Sequence, residues 1–209
     1  MKTAHHTRLV VAVGGFIVWL LLARPVQPAF AFQLNDVISA GAAYTTHLVL
    51  HEMGHQVVAQ DAGATGSRMH FLSNKGGQFY LGVSTYESIP SKSRLPYALG
   101  GERMSGYTFD IALKSYREQP TTYNKALLFF SGADFLAYTL LANYLHSNAN
   151  MHDPNIVREE TGCSKGVLLS LVLGKTLLNA YRVADPEVTF APEIWVDDRS
   201  AALLLRFPF

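Results

Sequence analysis

The chain has 209 residues, enough for one domain with a real apolar core, and its formal net charge of +1 gives no reason to expect nucleic acid or a strongly acidic partner. Charged residues make up only 16% of it, against about 25% in ordinary soluble domains. A single cysteine, Cys163, excludes an internal disulfide framework and a cysteine-rich zinc site.

At the start, Lys2 and Arg8 precede an uncharged run from Leu9 to Ala23. That run is shorter than the about 20 residues a spanning helix needs and fits the apolar region of a signal peptide. Pro25 to Pro28 and then Ala29-Phe30-Ala31, a small-x-small cleavage pattern, follow it. Residues 1–31 therefore read as a signal peptide removed after Ala31 or as a retained N-terminal membrane anchor. Both readings carry the next residues across a bacterial-type inner membrane and leave the basic start inside. Residues 32–209 read as one domain.

Residues 36–62 are expected to form a helix, with Asn35 or Asp36 as N-cap and Gly63 as the stop. Its second half carries His51-Glu52-Met53-Gly54-His55, an H-E-x-x-H motif. Residues four apart share one helix face, so the two imidazoles can grip a single ion. Glu52, about 100° round the helix, can reach a water there and act as general base on a peptide carbonyl. Zinc suits such a set, because three protein ligands leave it one open position. The flanks, Leu48 to Leu50 and Val57 to Ala59, are apolar, and Gly54 lets another helix or a substrate come close. Ionisable groups inside so apolar a helix point to a membrane-embedded or membrane-apposed active site. His47, one turn back on the same face, is a partner of the ligands, a further ligand or a plain interior histidine.

Ser67 to Leu72 and Gln78 to Thr85 read as two strands of a hairpin joined by Ser73 to Gly77. Its edge can accept an extended peptide as another strand, or serve as scaffold. Residues 97–118 open on Leu99-Gly100-Gly101-Glu102, with glycines that permit close backbone approach. Glu102 and Asp110 are acids available to a metal; Glu102 can equally pair with Arg103 or serve as an N-terminal helix charge. From Ala126 to Leu145 the chain is apolar with one formal charge, Asp134, which is expensive in a spanning segment unless paired or bound to metal. Asp134 is the preferred third ligand and Glu102 the alternative, with Asp110 and His70 behind them. Residues 147–165 read as a polar loop. Gly166 to Val183 reads as another membrane helix, with Lys175 snorkelling or paired to an acid. In the tail, residues 188–195 and 201–207 are strand-like and can extend the hairpin sheet.

The expected fold is thus a mainly α membrane helical bundle of about three to five apolar helices, with a small β-hairpin inserted after the HExxH helix. HEMGH on an apolar helix, the following hairpin, Gly101 to Ser105 as a G-x-x-x-(N/S/G) motif, and a later apolar helix with Asp134 resemble the site-two protease family of intramembrane zinc metalloproteases. The setting of Asp134, Ser131-Gly132-Ala133-Asp134-Phe135, departs from that family's Asn-Pro-Asp-Gly or Leu-Asp-Gly. The resemblance covers roughly residues 36–145 and implies an integral membrane hydrolase with Zn2+ as cofactor. It implies His51, His55 and an aspartate as ligands, Glu52 as catalytic base, and His47, Gly101 and Ser105 around them. The substrate it implies is a peptide or membrane protein within or beside the lipid bilayer. Leu99 to Gly101 also resembles membrane-anchored ATP-dependent zinc proteases, but the chain has no Gly-rich phosphate loop. Two other functions stay open. One is an inactive membrane protein that keeps a metalloprotease-like fold. The other is a di-iron oxidoreductase, since His47, His51 and His55 step as H-x-x-x-H boxes; His5, His6, His70, His146 and His152 add no further box.

Overall fold

The structure, a computed structural model, describes residues 33–75, 78–144, 152–197 and 200–207. The expected signal peptide or anchor at 1–31 lies outside the described residues.

The first helix, α1 (Leu34–Asp61), buries Ala43, His47, His51, Glu52, Gly54, His55 and Ala59. Most of these are four residues apart, so one stripe along the helix turns inward and carries the whole motif with it. After α1 come β1 (Arg68–Lys75) and β2 (Gln78–Thr85), an antiparallel hairpin in register from Arg68↔Thr85 to Lys75↔Gln78. A short 3-10 turn, Ser91–Ser93, leads into α2 (Arg94–Ala98) and α3 (Gly100–Glu118). Next are α4 (Thr122–Tyr144), α5 (Asp153–Thr161) and α6 (Lys165–Ala184), and then β3 (Ala191–Val196) and β4 (Ala201–Arg206).

The described residues are therefore mainly helical, with a small hairpin directly after the motif helix. Two expectations need correction. The tail strands do not extend the first hairpin: β3 and β4 pair with each other, Ala191↔Arg206 to Val196↔Ala201, as a separate two-stranded sheet. The stretch expected as a polar loop holds α5, whose Ile156 and Val157 sink into the core.

Two apolar clusters hold the elements together. One gathers Leu99, Phe135, Ile156, Val157, Leu168, Val172 and Ile194, joining the α2–α3 junction to α4, α5, α6 and β3. The other joins α1, α3 and α4 through Ala43, Phe109, Leu113, Leu127 and Leu128. α1 and α3 meet backbone to backbone: a Cβ at Gly54 would collide with the Gly100 carbonyl, and one at Gly100 with the Gly54 carbonyl. Only glycine at both positions permits that approach. α6 starts on Ser164, whose hydroxyl accepts the Val167 N–H, a side-chain N-cap.

α4 and α6 are the two described helices long and apolar enough to cross a membrane. Phe129 on α4 and Leu173 and Leu177 on α6 stand exposed. α1, expected in the same role, does not join them, because its histidines and other polar residues dilute its apolar character.

Candidate metal centre

Four charge-bearing side chains of α1 and its neighbours are buried together: His51, Glu52 and His55 from the motif, and Asp153 from the first turn of α5. His51 Nε2 and His55 Nε2 face each other at 3.2 Å. Asp153 Oδ2 lies 3.3 Å from His55 Nε2 and 3.9 Å from His51 Nε2. Ligands about 2.0–2.1 Å from a tetrahedral zinc stand about 3.3 Å apart, so these three atoms have the dimensions of one face of such a site.

The far side of each ring fixes which nitrogen is free. His55 Nδ1 lies 2.7 Å from the Tyr97 carbonyl oxygen, which can only accept, so Nδ1 carries the proton. His51 Nδ1 lies 2.8 Å from Asp134 Oδ2. With both Nδ1 atoms donating, both Nε2 lone pairs point into the same small space, the arrangement in which metal-binding histidines are usually held. Gly101 of α3 borders that space. A Cβ there would press on both Nε2 atoms, so glycine leaves room beside the pair that any side chain would fill. The donor set of two imidazole nitrogens and one carboxylate suits zinc, and also other first-row divalent ions.

Asp134 is where sequence reasoning and geometry part. Its carboxylate sits behind His51, on the Nδ1 side, and not beside the facing Nε2 atoms. Its other oxygen lies 3.2 Å from His47 Nε2, and the Ser105 hydroxyl donates to Oδ2 at 3.2 Å. His47, His51 and Asp134 also lie close enough together to hold an ion. A neutral imidazole, however, cannot offer lone pairs at both nitrogens, so His51 serves that group or the one with His55 and Asp153. His47 and Ser105 surround Asp134, which meets His51 on its Nδ1 side.

The other candidate acids and His70 are engaged elsewhere. Glu102 is buried against the Lys175 ammonium. Burial raises Glu102 above the ordinary carboxylate range, against the pull of that ammonium. Lys175 therefore pairs with an acid and does not snorkel. Asp110 binds Arg182 at 2.8 Å and Arg206 at 3.3 Å. His70 Nε2 meets Lys75 Nζ at 2.9 Å on the hairpin.

Asp153 is the residue that sequence reasoning missed. Burial alone would push its carboxyl up, but with the His55 and His51 rings protonated their charge and hydrogen bonds outweigh burial and hold it below its ordinary value. A signal was present: Asp153-Pro154 ahead of Ile156-Val157, with Gly162 behind, brackets a short helix.

Beside the centre lies a cavity of about 590 Å³. Its floor is the motif face of α1, one wall is β2 from Phe79 to Ser84, and the other is α4 from Phe129 to Leu141. β2 passes so close over α1 at Gly82 that a Cβ there would touch Glu52 and Leu48. Glu52 is 5% exposed, and its Oε2 has no hydrogen-bond partner among the described residues. A buried carboxylate oxygen without a donor is costly, and at the edge of a cavity it is available to a proton-bearing ligand. No protein-family model, no curated protein and no solved structure matches this chain.

Proposed function

We propose that this chain is a zinc-dependent endopeptidase that acts in or at a lipid bilayer. One observation carries the reading: the triangle of His51 Nε2, His55 Nε2 and Asp153 Oδ2 stands beside a buried Glu52 carboxylate, its Oε2 unpartnered among the described residues, at the floor of a cavity. Those three atoms would hold the ion, with Asp153 in the place that the resemblance to site-two proteases gives to Asp134. When bound, zinc supplies Lewis acidity, polarising a peptide carbonyl and acidifying a water.

The remaining work falls to the chain's own residues. Glu52 accepts the water's proton and returns it to the leaving amine. Asp134 and the Tyr97 carbonyl keep the two rings turned so that their Nε2 atoms stay unprotonated. The cavity, walled by β2 and an apolar helix, suits an extended peptide laid along the β2 edge. The exposed apolar side chains of α4 and α6 support placement in lipid, where a soluble protein would keep such helices covered.

The test is made on the full chain purified in detergent. Metal analysis is expected to find zinc, and cleavage of an unfolded protein substrate is expected to depend on it. Glu52→Gln should retain the zinc and lose about 10²–10⁴-fold in cleavage. Cleavage that survives the substitution, or a protein that takes up no divalent metal, rules the reading out. Release of the chain from membranes by alkaline carbonate would remove the bilayer from it.

A further inference from the structure

The carboxylate that faces the two imidazoles comes from the first residue of a nine-residue helix. Its placement against α1 therefore depends on how the start of α5 is tied to the bundle. The body of α5 is anchored through Ile156 and Val157. At its start the His152 carbonyl accepts the Asn155 and Ile156 N–H groups, while the His152 side chain forms no capping bond to the helix.

The tie to the bundle comes from another element. Tyr138, in the middle of α4, places its phenol oxygen 2.9 Å from His152 Nδ1, and the two rings meet edge to face at 5.3 Å. Tyr138 stands four residues beyond Asp134, so the two share one face of α4. Asp134 reaches back to His51, and Tyr138 reaches forward to His152, the residue just ahead of Asp153.

We propose that Tyr138 is a positioning residue: its hydroxyl holds His152, the residue just ahead of Asp153, against α4 and thereby aims the Asp153 carboxylate at the space between His51 and His55. One helix face, through Asp134 and Tyr138, then sets both sides of the centre. The inference rests on the metal-centre reading above and adds to it a tyrosine that is not itself a ligand.

The experiment compares wild type, Tyr138→Phe, Asp153→Ala and His55→Ala, each as the full chain in detergent. Zinc affinity is read by competition with a chromophoric chelator, and site geometry by the visible absorption of the cobalt(II)-substituted protein. Tyr138→Phe keeps the ring and removes only the oxygen. It should weaken zinc about 10–100-fold, the usual effect of losing a group that orients a ligand. It should also alter the cobalt bands while leaving the melting temperature of the metal-free protein unchanged. Zinc affinity and cobalt bands equal to wild type would overturn the proposal, provided that Asp153→Ala and His55→Ala abolish binding. A weaker affinity with unaltered bands and an equally lowered metal-free melt would make Tyr138 a packing residue, which also overturns it. If Asp153→Ala and His55→Ala bind zinc as wild type does, the centre itself has been misread and the positioning role falls with it.

Discussion

Two aspartates, Asp134 and Asp153, compete for the role of completing the centre, and their chemistry differs although both lie beside histidines, Asp153 buried and Asp134 half-buried. Asp153 meets the lone-pair side of the rings and Asp134 the proton-bearing side of His51. A carboxylate on the lone-pair side without an ion would repel the nitrogens unless a proton were shared. A carboxylate on the N–H side accepts a hydrogen bond whether or not an ion is present. The two substitutions should therefore separate. Asp153→Asn is expected to abolish tight zinc binding, while Asp134→Asn should weaken it about 10–100-fold and leave the ion bound in excess metal. Titrating both variants with zinc checks this, and equal losses would erase the distinction between ligand and orienting group. The sequence carries His51, Glu52 and His55 openly, because the spacing of three chemically special residues on one helix face survives any tertiary arrangement. It does not carry the choice of acid. Asp134 stands out in the linear chain because it interrupts an apolar run, yet that expense is offset by His47, His51 and Ser105, none of which can be paired with it by spacing.

At the level of elements, the long segments were legible and the short one was not. The motif helix expected at 36–62 is observed at Leu34–Asp61, and the apolar segment from Ala126 to Leu145 falls within or beside Thr122–Tyr144. The hairpin also lies where its alternating residues and turn chemistry placed it. α5 escaped because a nine-residue helix bears too little apolar periodicity to stand out from its polar surroundings. A polar connection reaching from 147 to 165 is itself unusual in a bundle, where connections run about 2–8 residues, and that length was a usable warning. β3 and β4 were visible as strands, but their partner was not. Strand pairing is set by the core they cover, and Ile194 and Val196 enter the cluster of α4, α5 and α6 and not the face over α1.

For the whole molecule, the centre ties together parts that are distant in sequence. His51 and His55 belong to α1, and Asp153 begins α5, so an ion bound by all three would staple the motif helix to the second half of the chain. A ligand that binds only the folded form stabilises it by mass action, about 4 kcal/mol at a thousandfold excess over the dissociation constant. Removing zinc with a chelator is expected to lower the melting temperature of the wild type in detergent. The same treatment should leave a His55→Ala protein where it was, and a wild-type melt indifferent to the chelator would mean that no such staple exists. The buried pair Glu102–Lys175 and the half-buried pair Asp110–Arg182 tie α3 to α6 without any ion.

The touching backbones at Gly54 and Gly100 bear on how the cavity over Glu52 can open. Because no side chain intervenes there, the motif helix and α3 have no layer that can compress or slide. Any widening then falls to the two walls of the cavity, the β2 strand that passes over Glu52 and α4, and not to the contact of the two helix backbones.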